Sequence, residues 1–308
     1  IVDREGRIVV YLAGRPASDA TWDDAVREAS ELLTKVGDED CEKDFKPDQV
    51  SHQRGQYPIL HTGYSHGGGP TSPYYVARKT VAQGKAVDML KRSQAFLRIA
   101  GFASSAFQMG APLLFDHYRE VLADVEVKKP GLFKPFRNSV FPTATFNLGP
   151  QAVTLPHRDA QNVPYGWCAI TALGNYNPVL GGHLYLWELK MVVEFPPGST
   201  ILVPSALITH GNTPIQTGEV RQSFTQYCSG SLMRWHAYGF RTRSALKRED
   251  PALEAYLAAS QAQRKAAALS LFSKHKDLPA LHAARAHPEP SPQIRAFATL
   301  QAKLGNVA

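Results

Sequence analysis

His157, Arg158 and Asp159 form an H-x-D triplet closing a run that reads as a strand over Val153–Asp159. In a strand, residues i and i+2 point to the same face, so this imidazole and carboxylate can meet one ion. A second histidine, His210, follows 51 residues beyond Asp159, behind the strand and turn signals of FPPGSTILVPSALITH. Two histidines and one carboxylate make the facial triad that leaves three positions open on non-haem iron(II), room for a chelating keto acid and O2. Arg221 stands eleven residues past His210, with Ser223 two further on. A guanidinium fork suits the far carboxylate of a keto acid, and a serine hydroxyl adds a third hydrogen bond. Alone, an H-x-D pair is more often a surface or structural feature, and Arg221 would read as a surface arginine. The order H-x-D, His, R-x-S on successive β elements sets the combination apart.

These residues need a scaffold, and the periodicity supplies one from Ser139 onward. Phe141–Leu148, Val153–Asp159, Cys168–Leu173, His183–Phe195, Ser199–Pro204, Arg221–Cys228 and Met233–Phe240 are strand candidates separated by Gly, Pro and Asn turns. So many short strands in about a hundred residues predict a closed or sandwiched antiparallel structure. Ahead of them, Ile8–Ala13 reads as a short strand. Asp19–Thr21 then offers capping chemistry to a helix with Trp22, Val26, Ala29, Leu33 and Val36 on one stripe. Residues 37–75 are polar and Gly-rich, and their HTGYSHGGGPTSPYY end predicts a loop, either a cover for a ligand or an ordinary connection. Helices are expected from about Val76 to Ile99 and from about Ser105 to Val125, and again from Pro251 onward. The HPEPSPQ stretch near the end reads as linker or disorder. The expected organisation is thus one domain over 1–308, with a helical and loop flank (1–138), a β core (139–242) and a helical tail (243–308).

Composition narrows the alternatives. The 308 residues include 44% hydrophobic and 20% charged, ordinary for a globular chain. No run approaches the length of a membrane-spanning helix, and the first residues do not read as a signal peptide. Cys41, Cys168 and Cys228 are too scattered for a disulfide framework or a zinc site, which favours an intracellular protein. No HExxH, paired CxxC, Walker loop or GxGxxG occurs, and Ser205 lacks the glycine of a nucleophile elbow. His61, His66, His117, His183, His236, His275, His282 and His287 lack paired ligand spacing. The net charge of +7 is uneven: −5 over 1–77, +6 over 78–138, +1 over 139–242 and +5 over 243–308. The two basic segments suit a phosphate backbone or simply solvated helix faces.

At these motifs the sequence resembles the Fe(II)- and 2-oxoglutarate-dependent dioxygenases, and within them the TET/JBP-like branch of fungal type. His157-Arg158-Asp159-Ala160-Gln161-Asn162 is similar to that branch's HRD-x-x-N signature. His210-Gly211-Asn212-Thr213-Pro214 is similar to its distal-histidine strand, and Arg221 to Tyr227 to its R-x-S-x-x-x-Y strand. The resemblance spans about residues 139–242. It implies an α+β fold with a double-stranded β-helix (jelly-roll) core flanked by N-terminal and C-terminal helices. It implies Fe(II) on His157, Asp159 and His210, and 2-oxoglutarate on Arg221 and Ser223, with O2 as co-substrate. Asn147 resembles a position that touches the keto acid in related base-repair enzymes. Asn162 would hydrogen-bond a flipped base and Tyr227 would stack on it. The implied activity is oxidation of a methylated base in DNA, 5-methylcytosine or N6-methyladenine, by a nuclear, monomeric protein. Two departures stand out. Ser229 replaces the histidine that follows the stacking tyrosine by two positions in animal TET enzymes, and their cysteine-rich zinc region is absent. The same iron site would equally serve a hydroxylase of a small molecule or protein side chain, and a non-catalytic β-barrel binding module is the third reading.

Overall fold

The computed structural model describes residues 1–76 and 80–285. Its frame is a seven-stranded antiparallel sheet. The order across it is β1 (Tyr11–Gly14), β10 (Thr200–Val203), β7 (Cys168–Asn175), β12 (Val220–Tyr227), β6 (Thr143–Asn147), β4 (Ile59–Ser65) and β5 (Tyr74–Tyr75). A second sheet has three strands in the order β11 (His210–Asn212), β8 (Leu184–Leu186) and β9 (Met191–Val193). The helix α2 (Pro47–Val50) leads into a small separate hairpin, β2 (Ser51–His52) and β3 (Gly55–Gln56).

The two-residue period of the main sheet divides its side chains. On one face Leu60, Phe146, Leu173 and Phe224 pack with Leu33 of α1 (Trp22–Lys35), Leu90 of α3 (Val81–Arg92) and Phe96 and Ile99 of α4 (Gln94–Gly110). Phe96 meets Phe146 and Phe224 edge-on with ring centroids 5.0 and 5.3 Å apart. The other face puts Ile170, Ala172, Ile201 and Val203 against Leu184, Leu186 and Ile208, joining the two sheets. Between β12 and β6 that inner face turns polar: Ser223 stands opposite Asn147, and Thr225 opposite Thr145.

Several boundaries depart from the sequence reading, each for an identifiable reason. The single helix expected over Val76–Ile99 is broken at Ser93, whose backbone is extended and whose hydroxyl accepts from the amides of Ala95 and Phe96, capping α4. Residues 77–79 of that expected helix lie outside the described residues. The helix expected from Ser105 is also divided, since Ala111 leaves helical geometry and Pro112 opens α5 (Pro112–Lys128). The stretch 37–75 is not all loop, because β4 inserts Leu60, Thr62 and Tyr64 beside β6. Met233–Phe240 is not a strand. Its first residues belong to α6 (Gly230–Ala237), where Leu232, Met233 and Trp235 enter the core built around α5. His183–Phe195 is a hairpin of two strands, turned by Trp187–Leu189 and a left-handed Lys190. The C-terminal part is helical as expected: α7 (Arg243–Glu249), α8 (Pro251–Ala259), α9 (Gln261–Ser270) and α10 (Leu278–Arg285). Arg285 closes it onto α5, with guanidinium nitrogens 2.6 and 2.8 Å from the Asp116 carboxylate. The HPEPSPQ stretch with His287 lies outside the described residues.

His117 of α5 gives the fold a pH dependence. Burial, and then the charge of His236, push its pKa down to about 3, so folding keeps the imidazole neutral. A depressed histidine contributes no penalty above the unfolded pKa, and stability falls as pH drops from about 6.5 towards 3. Between pH 7 and 5 this group should remove roughly 2 kcal/mol. Urea melts at the two pH values should show that loss in the unaltered protein and a smaller one in His117→Gln.

Candidate metal centre

The segment carrying the H-x-D triplet is not a regular strand but bends at Pro156 and pairs with His210 through one isolated bridge, which corrects the expected strand over Val153–Asp159. Pro156 has no N–H to give to a ladder. Hydrogen bonds at selected points replace the ladder. The amide of His157 donates to His210 O and that of His210 to His157 O, both at 3.0 Å, while the Asp159 amide donates to Ser205 O at 2.9 Å. The two histidines therefore face each other across a backbone pair, with ring centroids 4.4 Å apart.

Both rings are set by the same local device. His157 Nδ1 donates to Leu155 O and His210 Nδ1 to Ile208 O, each at 2.9 Å and each to the residue two positions earlier. A carbonyl only accepts, so each Nδ1 carries a proton and each Nε2 is the nitrogen left to face a metal. Those Nε2 atoms face Asp159, His157 at 3.6 Å from Oδ1 and His210 at 3.9 Å from Oδ2. One ligand atom from each of the three residues lies within 4.8 Å of the others, the one such group among the described residues. Burial, and then the charge of His210, push the His157 pKa down to about 4, so this ring is neutral near pH 7 and free to ligate. Gly211, between His210 and Asn212, is required by close packing. A Cβ there would lie 2.5 Å from Thr154 O and closer still to the Tyr185 hydroxyl. Gly211→Ala should push β11 from the H-x-D segment and weaken divalent-metal binding at least tenfold, measured by titration with Mn(II).

The cleft beside the triad holds about 600 Å3 including its open mouth, and the remaining predicted residues line it. Arg221, Ser223 and Tyr227 alternate along β12 and so share its inner face. Arg221 is 2% exposed. Its Nη1 donates to Ala152 O at 2.7 Å, its Nε has no partner, and no carboxylate pairs with it among the described residues. Burial pulls its pKa down, opposed by the nearby Tyr176 and Tyr57. A guanidinium stays charged in a protein, so this cation is buried next to space that an anion can fill. Asn147 Nδ2 donates to Ser223 Oγ at 2.7 Å, which aims that hydroxyl and places both residues beside Arg221.

Asn162 and Tyr227 occupy the part of the cleft nearer Asp159. Asn162 Nδ2 donates to Ser205 Oγ at 3.1 Å and to Asp159 Oδ2 at 3.4 Å. Both amide hydrogens are thus engaged, and only its carbonyl oxygen is left to meet a ligand. Thr145 Oγ1 donates to the Tyr227 hydroxyl at 3.3 Å and accepts from His61 Nδ1 at 2.8 Å, which pins the ring by its far end. Ser229 is not among the lining residues. Its hydroxyl donates to His66 O in the Gly-rich loop at 3.5 Å, and its backbone bridges to Asn162.

Sequence reasoning missed Arg54, whose Nη2 lies 2.6 Å from Asp159 Oδ1. It also missed Tyr57, Thr145 and Asn212, which line the same cleft. The short His52–Gly55 turn was a detectable signal for the hairpin, but nothing nearby linked it to a residue 105 positions away. Most other histidines have local partners: His117 meets Tyr165, His183 meets Thr213 and His236 meets Asp124. The three cysteines are free and buried, as expected. No helix among the described residues is long and apolar enough to cross a membrane.

Two histidines, one carboxylate and a buried guanidinium with no carboxylate partner among the described residues, all in one cleft, fit Fe(II) with 2-oxoglutarate and O2. No protein-family model and no curated protein matches the chain. Solved structures match it in part. One described as NgTET1 in complex with 5mC DNA is 15% identical, covering 66% of this chain and 68% of its own, with a TM-score of 0.45. The viral collagen prolyl hydroxylase vCPH from Paramecium Bursaria Chlorella virus-1, in a 2OG complex, is 15% identical over 40% of this chain and 70% of its own, TM-score 0.24. An oxidoreductase of the 2OG-Fe(II) oxygenase family from Burkholderia pseudomallei is 12% identical over 69% and 91%, TM-score 0.34. Likenesses at this level leave the chemistry to the residues of the cleft.

Proposed function

We propose that this chain is an Fe(II)- and 2-oxoglutarate-dependent dioxygenase that oxidises the methyl group of a methylated base in DNA, on a double-stranded β-helix formed by its two sheets. The observation that carries the oxidation chemistry is Arg221, a buried cation with no anionic partner among the described residues, in the same cleft as His157, Asp159 and His210. The two histidines would hold iron through Nε2 and Asp159 through a carboxylate oxygen. Arg221, with Ser223 oriented by Asn147, would bind the far carboxylate of the keto acid. When bound, iron with 2-oxoglutarate and O2 supplies an oxidant able to take hydrogen from a methyl group and return a hydroxyl. The chain's own residues select and hold what is oxidised.

A methylated base supported by Tyr227 and Asn162 is the substrate the cleft suits best. The pinned Tyr227 ring offers a face to stack on, replacing the stacking a flipped base loses. Asn162 presents only an acceptor, which matches the exocyclic amino group that 5-methylcytosine and N6-methyladenine both carry. The +6 of residues 78–138 suits the phosphate backbone. Work on DNA would place the protein in the nucleus.

Mass spectrometry of nucleosides after incubation with methylated DNA, Fe(II) and 2-oxoglutarate tests this reading. Oxidised 5-methylcytosine, or adenine regained from N6-methyladenine, is the expected product. Neither product would leave the hydroxylase of a small molecule or protein side chain in its place. Loss of a base stack costs about 1–3 kcal/mol. Tyr227→Ala should therefore lower oxidation of methylated DNA about ten- to a hundredfold while 2-oxoglutarate still binds.

A further inference from the structure

We propose that Arg54 is a positioning residue of the metal centre: it occupies Oδ1 of Asp159 and so limits that carboxylate to one oxygen for the metal. The proposal rests on the metal-centre reading above. It concerns a residue that no motif in the sequence marks.

Arg54 is held where it is by its backbone. It lies in the two-residue turn of the β2–β3 hairpin, where His52 pairs with Gly55. Its carbonyl accepts from the Leu155 amide at 2.7 Å, two residues before His157. Its amide donates to His52 Nδ1 at 3.3 Å, and His52 Nε2 donates to Tyr57 O at 3.1 Å, which fixes one tautomer for both bonds. Gly55 has φ +155°, and a Cβ there would sit 2.4 Å from Val153 O, so a side chain would hold the hairpin away from the H-x-D segment. The hairpin is thus seated on the strip that carries the metal ligands.

From that seat the guanidinium places Nη2 2.6 Å from Asp159 Oδ1, its side chain 42% exposed against 10% for the carboxylate. An ion pair with one arm this exposed contributes little to stability. Its consequence is for coordination. A carboxylate bound through one oxygen leaves three of six positions open, and one bound through both leaves two. A chelating keto acid needs two and O2 needs another. With Oδ1 engaged, Oδ2 remains, 3.9 Å from His210 Nε2. Asn162 Nδ2 approaches Oδ2 at 3.4 Å, a long neutral bond beside the short charge-assisted one on Oδ1, so Oδ2 is the oxygen left more available to a metal.

Water-proton relaxation of the Mn(II)-loaded protein, without keto acid, counts the open positions directly. Arg54→Met should bind Mn(II) yet lose about a third of the relaxation enhancement per bound ion, three open positions becoming two. Arg54→Lys, which keeps a cationic donor at Oδ1, should retain it, and melting curves on both variants check that the fold is intact. Full relaxation enhancement in folded Arg54→Met, or equal losses in both variants, would overturn the proposal and leave the metal centre standing. Failure of the unaltered protein to bind Mn(II) would remove both.

Discussion

Replacing Arg221 by methionine should weaken 2-oxoglutarate binding by about 2–5 kcal/mol, roughly thirtyfold to several thousandfold, without destabilising the fold. The two halves of that expectation have one cause. Arg221 is 2% exposed, carries a charge and has no carboxylate partner among the described residues. Its desolvation is offset by the bond to Ala152 O at 2.7 Å and by the nearby Tyr176. Methionine fills similar volume, removes the uncompensated charge and leaves one carbonyl short of a donor, changes that act in opposite directions. Melting should therefore move by no more than about 1 kcal/mol in either direction. Affinity should collapse because a keto acid's far carboxylate would lose the guanidinium proposed to hold it. Calorimetry with 2-oxoglutarate and Mn(II), set beside a urea melt, reads both quantities. Unchanged affinity would show that the anion binds elsewhere. A large loss of stability would mean that Arg221 is a structural residue. Lysine should not rescue binding, because it lacks the guanidinium's planar fork.

Asp159→Ala should reduce divalent-metal affinity by about a hundredfold or more, since loss even of an outer-sphere partner costs ten- to a hundredfold. It deletes the one anionic member of the triad. Arg54 would lose its partner, but its side chain is 42% exposed and water can solvate it. The protein should thus remain folded while losing the metal, which separates this variant from a general core defect. Mn(II) titration followed by circular dichroism tests the pair of outcomes. Metal binding as tight as in the unaltered protein would remove Asp159 from the ligand set.

How far the sequence reveals this site depends on whether the relevant contacts are local. Arg221, Ser223 and Tyr227 were legible because a strand's two-residue period projects alternate positions onto one face, and β12 does so. His157 and Asp159 were legible by type and spacing, although a Pro156-interrupted strip carries them instead of a ladder strand. The α6 segment was misread because Leu232, Met233 and Trp235 form a run too short to separate strand from helix. β4 had an alternating signal in Leu60, Thr62 and Tyr64, hidden by polar and Gly-rich neighbours, and its place beside β6 depends on long-range pairing. Arg54 was beyond sequence reading altogether. Its role comes from a hairpin that meets the H-x-D strip through Leu155, a contact that exists only once the chain has folded.

The central claim is that the triad couples 2-oxoglutarate and O2 to oxidation. Its most direct test is succinate formation from 2-oxoglutarate, measured with Fe(II) and O2 in the presence of methylated DNA, for the unaltered protein beside Asp159→Ala. Succinate from the unaltered protein, in step with oxidised base and absent from the variant, is the expected result. Equal succinate from both proteins, or none from either across methylated DNA, small-molecule and peptide substrates, would contradict it.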